Sequence, residues 1–281
     1  MPLLVGVAGF LMGIALNLFA DYLALRRHYH LALHSPFSTV KPHPPHFLPR
    51  RADGSLLPLW RWSALIGAFQ LGEGFHPPRH ARRIGVEIGV ALIWALIIHR
   101  YGNHAFSVFY LAYALILILC IVSDIENRWI YLEVLAVGAA LAILESISGV
   151  RLALGSALQG GLLGFVIFWG LYVGGLVFGG LVQRGGRRVA GRTVLGFGDV
   201  YLVAFCGLIL GGEAVGSAVL LMLICGGIAA LGLILTRRLR GKKYRRFSAI
   251  PYAPPIVIGA GLMLLFPDAA VGVLFWLLAL I

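Results

Sequence analysis

Two of the chain's eleven acidic residues stand where a carboxylate is costly. Asp124 closes the apolar run "AFSVFYLAYALILILCIVSD" and Asp199 opens the run "DVYLVAFCGLILGG". Ionisable groups at membrane depth are expensive and are usually paired or functional. Each aspartate taken alone fits an interfacial residue paired with a nearby arginine equally well. The two glycines before Asp199 favour the functional reading. Gly196 and Gly198 flank Phe197, and glycine permits backbone conformations and close approaches closed to other residues. Irregular backbone at membrane depth is tolerated only where it is buried in protein or lines a wet cavity. The spacing therefore predicts a short, partly unwound entry that carries Asp199 into a cavity facing Asp124. Two carboxylates held close together cannot both ionise easily and share a proton. One then acts as base on a water while the other acts as acid toward a carbonyl, the chemistry of an aspartic protease.

The elements that must position this pair are membrane helices. Of 281 residues, 60% are hydrophobic and only 12% charged, with a mean hydropathy of +0.91, far from the composition of soluble globular domains. Apolar runs of about 20 residues, the length that crosses a bilayer, recur along the chain. Spans are predicted at residues 3–25, 84–100, 104–123, 129–149, 155–183, 199–213, 215–236 and 251–267. The tail "AAVGVLFWLLALI" is either a further short span or a continuation of the last. The expected fold is an all-α membrane protein, a polytopic bundle of about eight transmembrane helices with one larger N-terminal cytoplasmic loop. Its parts are a first helix over 1–25, a basic loop over 26–83 and a membrane domain over 84–281. The first run lacks a basic n-region and a small-residue cleavage site, so it is expected to be retained rather than cleaved.

Charge fixes the orientation. The net charge of +12 comes from 23 Lys and Arg, and nearly all of them fall in three loops, Arg26 to Arg83, Arg184 to Arg192 and Arg237 to Arg246. By the positive-inside rule all three face the cytoplasm, and their affinity is for anionic headgroups of the bilayer; nucleic acid is not an expected partner. Two spans separate Asp124 from Asp199, and an even number of crossings returns the chain to the same side. Both carboxylates are thus expected at the cytoplasmic membrane boundary.

The remaining polar residues sort into expectations of their own. Asp21 and Glu87 lie near Arg26, Arg27, Arg82 and Arg83 and are expected to form structural ion pairs. Glu145, Glu213 and Asp268 lie near outer helix ends and are expected to be solvated. The loop is rich in proline and histidine, with neither paired ligand spacing nor cysteines for a metal. Its segment "LLPLWRWSALIGAF" is expected to lie at the interface. Gly160, Gly164, Gly170, Gly174, Gly175 and Gly179 are spaced for close helix packing, or for a pivot or groove.

At these residues the chain resembles the type IV leader peptidase family, the prepilin peptidases among GxGD intramembrane aspartic proteases. "GIALNLFADYLA" resembles the family's first helix, "LLPLWRW" and "RIGVEIGVAL" its loop segment and the following helix. "SDIENRWIYLEVL" and "GFGDVYLVAFCGLILG" resemble its two aspartate segments, and "AIPYAPPIVIGAGLML" its proline-containing last helix. The resemblance implies that Asp124 and Asp199 are catalytic and that Gly196 and Gly198 shape the second aspartate's surroundings. It implies substrates that are prepilin-like precursors of type IV pili or type II secretion, cut after a leader glycine, in a multi-pass protein of the bacterial inner membrane. The family's loop often holds two CxxC pairs thought to bind zinc, and many members methylate the new N-terminus with S-adenosylmethionine. This chain has no such pairs, so no metal is expected, and S-adenosylmethionine only if methyl transfer is retained. Tyr201 stands where the family usually has lysine. Two other functions fit the carboxylates: an ion- or proton-coupled transporter, and a non-catalytic scaffold of a pilus or secretion machine.

Overall fold

The computed structural model describes residues 1–33, 45–48, 55–68, 77–184, 195–239 and 251–279. Among them the regular structure is helical, and the chain falls into two compact units, Met1–Ser123 and Asp124–Ile281. Much of the loop over 26–83, with His34, His43 and His76, and most of the two basic loops, after Arg184 and after Leu239, lie outside the described residues.

The first unit holds α1 (Pro2–Leu33), a 3-10 turn (Leu59–Arg61), α2 (Ala64–Ala68), α3 (Pro77–Tyr101) and most of α4 (Ala105–Asn127). Helices α1 and α3 approach closely because α1 presents glycines to α3. A Cβ at Gly13 would stand 2.8 Å from Glu87 Cα, and one at Gly9 3.0 Å from Ala91 Cα, so a bulkier residue would force the backbones apart. Trp94 Nε1 of α3 donates to the Leu111 carbonyl of α4 at 3.1 Å.

Asp21 meets Arg82 at 2.6 Å and Arg83 at 3.4 Å, as its neighbourhood in sequence suggested. Glu87 is a correction. Fully buried, it accepts hydrogen bonds from Ser63 Oγ at 2.9 Å, Ala64 N at 2.8 Å and Leu65 N at 3.1 Å. Its carboxylate holds the free N–H groups at the start of α2, where a helix has no internal acceptors. Asn17 bridges the two acids' surroundings by donating to the Arg83 carbonyl and accepting from Arg82. The segment around Trp62 is thus pinned to α3 by a buried acid.

The second unit contains the end of α4 followed by α5 (Leu132–Ile147), α6 (Leu154–Arg184), α7 (Phe197–Leu210), α8 (Gly212–Leu239), α9 (Ala253–Leu265) and α10 (Pro267–Leu278). Helix α7 is apolar around most of its circumference and is correspondingly enclosed. Val200, Leu202, Val203, Cys206 and Ile209 have no exposed surface, and α5, α6, α8 and α9 pack on it. The closest crossing is α6 on α7. A Cβ at Gly160 would strike the Gly207 carbonyl, and one at Gly164 would lie 2.8 Å from the Val203 carbonyl oxygen. Gly170, Gly174 and Gly175 meet nothing within 4 Å, so among the described glycines of the stripe it is Gly160 and Gly164 that serve this crossing.

Among the described residues four helices are long and apolar enough to cross a membrane: Pro2–Leu31, Ala105–Asn127, Leu154–Phe178 and Gly212–Thr236. A fifth span results if α9 and α10, bent by 118° at Phe266, count as one. The chain is an all-α membrane protein, while the eight spans expected are not matched by eight helices of crossing length. Helices α5, α7 and α9 are too short to qualify, and α3 begins with charged residues. The apolar tail forms α10, a helix distinct from α9.

Glu145 also departs from expectation. It is buried, and Arg151 grips it with Nε at 2.9 Å from Oε1. The same guanidinium donates to the Ile209 carbonyl at 2.6 Å, closing the C-terminal end of α7, where carbonyls lack internal partners and a cation is favoured.

Candidate active site

The site forms where three helix ends meet, and two of them are N-termini. Asp124 lies in the last turns of α4. Its Oδ2 accepts the backbone N–H of Ala253 at 2.9 Å, and the Tyr252 N–H faces the same carboxylate. Pro254 and Pro255 follow in the first turn of α9. Having no N–H, they leave Tyr252 and Ala253 as the donors this helix start must satisfy. A carboxylate at a helix N-terminus meets both that need and the positive end of the helix dipole.

Asp199 is treated in the same way at α7. The helix begins at Phe197, with Gly196 extended (φ −78°, ψ 147°) as its cap. Gly196 N–H donates to Asp199 Oδ2 at 2.9 Å, and Asp199 N–H returns to the Gly196 carbonyl at 3.1 Å. The aspartate thus reaches back over the first turn of its own helix as the acidic member of a capping box does.

Both carboxylates are nearly closed off, Asp124 at 7% and Asp199 at 6% exposure, and they are near enough for the charge of Asp124 to be felt at Asp199. Among the described residues neither is held in an ion pair. Arg128 acts on Asp124 by its charge without forming an ion pair with it.

The entry to α7 differs from the expected unwound one. Gly198 is helical and has no positive φ. What glycine provides at 198 is room: a Cβ there would lie 3.1 Å from Ile130 Cβ, tighter than ordinary contact. Ile130 belongs to the short link between Asp124's helix and α5, so Gly198 lets the two aspartate-bearing segments come together. Gly196 supplies the N–H that Asp199 accepts.

Tyr201 stands away from this chemistry. At about 100° per residue, positions 197 and 201 share one face of α7 and Asp199 points to the other. Tyr201 meets Phe197 edge-on at 5.0 Å, and Phe165 and Tyr172 of α6 extend the aromatic row. Tyr252 is the residue sequence reasoning missed. It binds Asp124 through its main chain, which leaves no side-chain signal. Among the described residues no group of three His, Cys, Asp or Glu is disposed to hold a metal ion.

Comparison with known proteins points to one family. Residues 111–231 match the Type IV leader peptidase family, a stretch that includes Asp124, Gly196, Gly198 and Asp199. The prepilin leader peptidase/N-methyltransferase of Aeromonas salmonicida (strain A449) is 29% identical over 127 residues, 45% of this chain and 38% of that one. The protein of the same name from Aeromonas hydrophila is 28% identical over 127 residues, with the same shares covered. The aligned stretch thus spans well under half the length of these curated relatives. No solved structure matches significantly. The resemblance of the sequence to the type IV leader peptidases is borne out over residues 111–231.

Proposed function

We propose that the protein is a membrane-embedded aspartic endopeptidase that removes the leader peptide of prepilin-like precursors at the cytoplasmic face of a bacterial inner membrane. What supports this reading is that Asp124 and Asp199 are both buried, that the charge of Asp124 acts on Asp199, and that both lie inside the stretch that matches the leader peptidase family. In this mechanism the two carboxylates share one proton. The ionised member takes a proton from water as its oxygen attacks the scissile carbonyl carbon. The protonated member gives its proton to the carbonyl oxygen. Collapse of the tetrahedral intermediate breaks the C–N bond, with the nitrogen leaving as an amine after taking up a proton. The helix N-termini behind each aspartate hold the carboxylates in place and spread their negative charge. Gly196 and Gly198 act through the backbone, one as donor and one as clearance.

Peptide cleavage by this dyad uses no metal or organic cofactor. Methyl transfer from S-adenosylmethionine is left outside the proposal, because the family match begins at residue 111, beyond the loop in which this chain lacks the family's cysteine pairs. The test is co-expression with a pilin precursor. Asp124→Asn and Asp199→Asn should each abolish processing while the protein remains inserted and folded, because a carboxamide keeps size but cannot exchange a proton with water. Efficient processing by either variant would refute the dyad.

A further inference from the structure

Tyr252 meets the site at two places. Its main-chain N–H faces Asp124, while its side chain turns toward α6 and α8, with its ring 6.4 Å from that of Phe168. A Cβ at Gly226 of α8 would lie 2.5 Å from Tyr252 Oη and 2.9 Å from Cε2 and Cζ. Helix α8 therefore needs glycine at this level for the phenol to sit where it does. Asp199 is among the groups that act electrostatically on the hydroxyl, and Cys225 precedes Gly226 on α8. The side chain is half-buried, and no described residue takes part in a hydrogen bond with its hydroxyl. A phenol used only for packing would bring its polar atom to this place for nothing.

The donors at the site show what the hydroxyl is for. The N–H groups of Gly196 and Ala253 are engaged by the aspartates. A peptide lying across the dyad in extended form presents carbonyl oxygens that require donors once water is displaced. The Cys225 thiol is a weak donor, whereas a tyrosine hydroxyl is a full one. We propose that Tyr252 is a substrate-contacting residue whose hydroxyl donates a hydrogen bond to a main-chain carbonyl of the peptide bound across Asp124 and Asp199, with Gly226 as the seat that aims it. The proposal deepens the peptidase function and rests on it.

The experiment uses the full chain in detergent with a pilin precursor, measuring kcat, KM and thermal midpoint together. Tyr252→Phe keeps the ring and should lower kcat/KM about tenfold or more with the thermal midpoint unchanged. Gly226→Ala, whose Cβ meets the hydroxyl and ring and so moves the phenol without removing it, should give a comparable loss, and the double variant should be little worse than either single one. Wild-type kcat/KM in Tyr252→Phe, or a loss that only follows a lowered thermal midpoint, would overturn the assignment. Asp124→Asn and Asp199→Asn run beside it. If they are inactive while Tyr252→Phe is normal, Tyr252 alone is wrongly assigned. If they cleave, or the wild-type protein does not, the peptidase function fails and this proposal with it.

Discussion

The N–H of Ala253 donates to Asp124 Oδ2 at 2.9 Å across 129 positions of sequence. One catalytic candidate is therefore held by the first turn of a helix that is remote in the chain. Lengthening the side chain by one methylene breaks that register while keeping charge and chemistry. Asp124→Glu should lower cleavage on the order of a hundredfold, the cost of misplacing a reacting group by about 1 Å. Activity within a few-fold of wild type would mean that the Ala253 contact does not position the carboxylate.

Gly198→Ala separates two effects. In a helical position alanine is favoured over glycine by up to about 1 kcal/mol, yet the new Cβ would lie 3.1 Å from Ile130 Cβ. Cleavage should drop while thermal stability stays near wild type, and adding Ile130→Gly should restore part of the activity. The check is a double-mutant cycle on both readouts. Additive losses would show that the two residues do not report on the same contact.

The glycine stripe of α6 makes a contrasting pair. Gly160→Ala places a methyl against the Gly207 carbonyl and should destabilise by about 1–3 kcal/mol through overpacking. Gly170→Ala meets open space and should be neutral or stabilising by a few tenths to about 1 kcal/mol. Thermal unfolding of both variants in one detergent tests the α6–α7 crossing directly.

Glu87→Gln puts an amide where four donors converge, from Asn17, Ser63, Ala64 and Leu65. One N–H or O–H is then left facing an NH2 group, at a cost of about 1–3 kcal/mol. The expected readout is faster limited proteolysis between residues 55 and 68. An unchanged digestion pattern would show that this acid does not pin the segment.

The two aspartates were legible because carboxylates are so few in this chain that each must be accounted for. Their neighbours were less so. Glu87 and Glu145 are both buried, but sequence distance to arginine told only part of their story. Asp21 found its arginines, Glu87 found backbone N–H groups, and Glu145 found Arg151 where solvent was expected. Hydropathy located the apolar segments well, and the segment over 199–213 is a helix of nearly the expected length, 14 residues; the error lay in counting so short a helix as a full crossing. The glycines before Asp199 drew notice for conformational freedom, whereas Gly198 serves by what it leaves empty. Tyr252 and Gly226 carried no signal, since the contact is between helices and half of it is main chain.

The shortness of α7 governs how reagents arrive. Ser156, near the start of α6, reaches the Gly212 N–H just past the end of α7, so the two antiparallel helices begin level at that end. At the other, Tyr172 already stands beside Phe197, and α6 runs on to Arg184, about 18 Å further. Helix α8 likewise continues from Gly226, where Tyr252 rests, to Leu239, an overshoot of about 20 Å. Helices α6 and α8 thus run well past the level at which α7 and its aspartate begin. For the proposed cleavage this sets a demand on the incoming polypeptide: a helical segment must uncoil before its backbone can pass between the longer helices to the aspartates, so the ease of local melting around the cut, as much as the residues at it, should decide which precursors are processed.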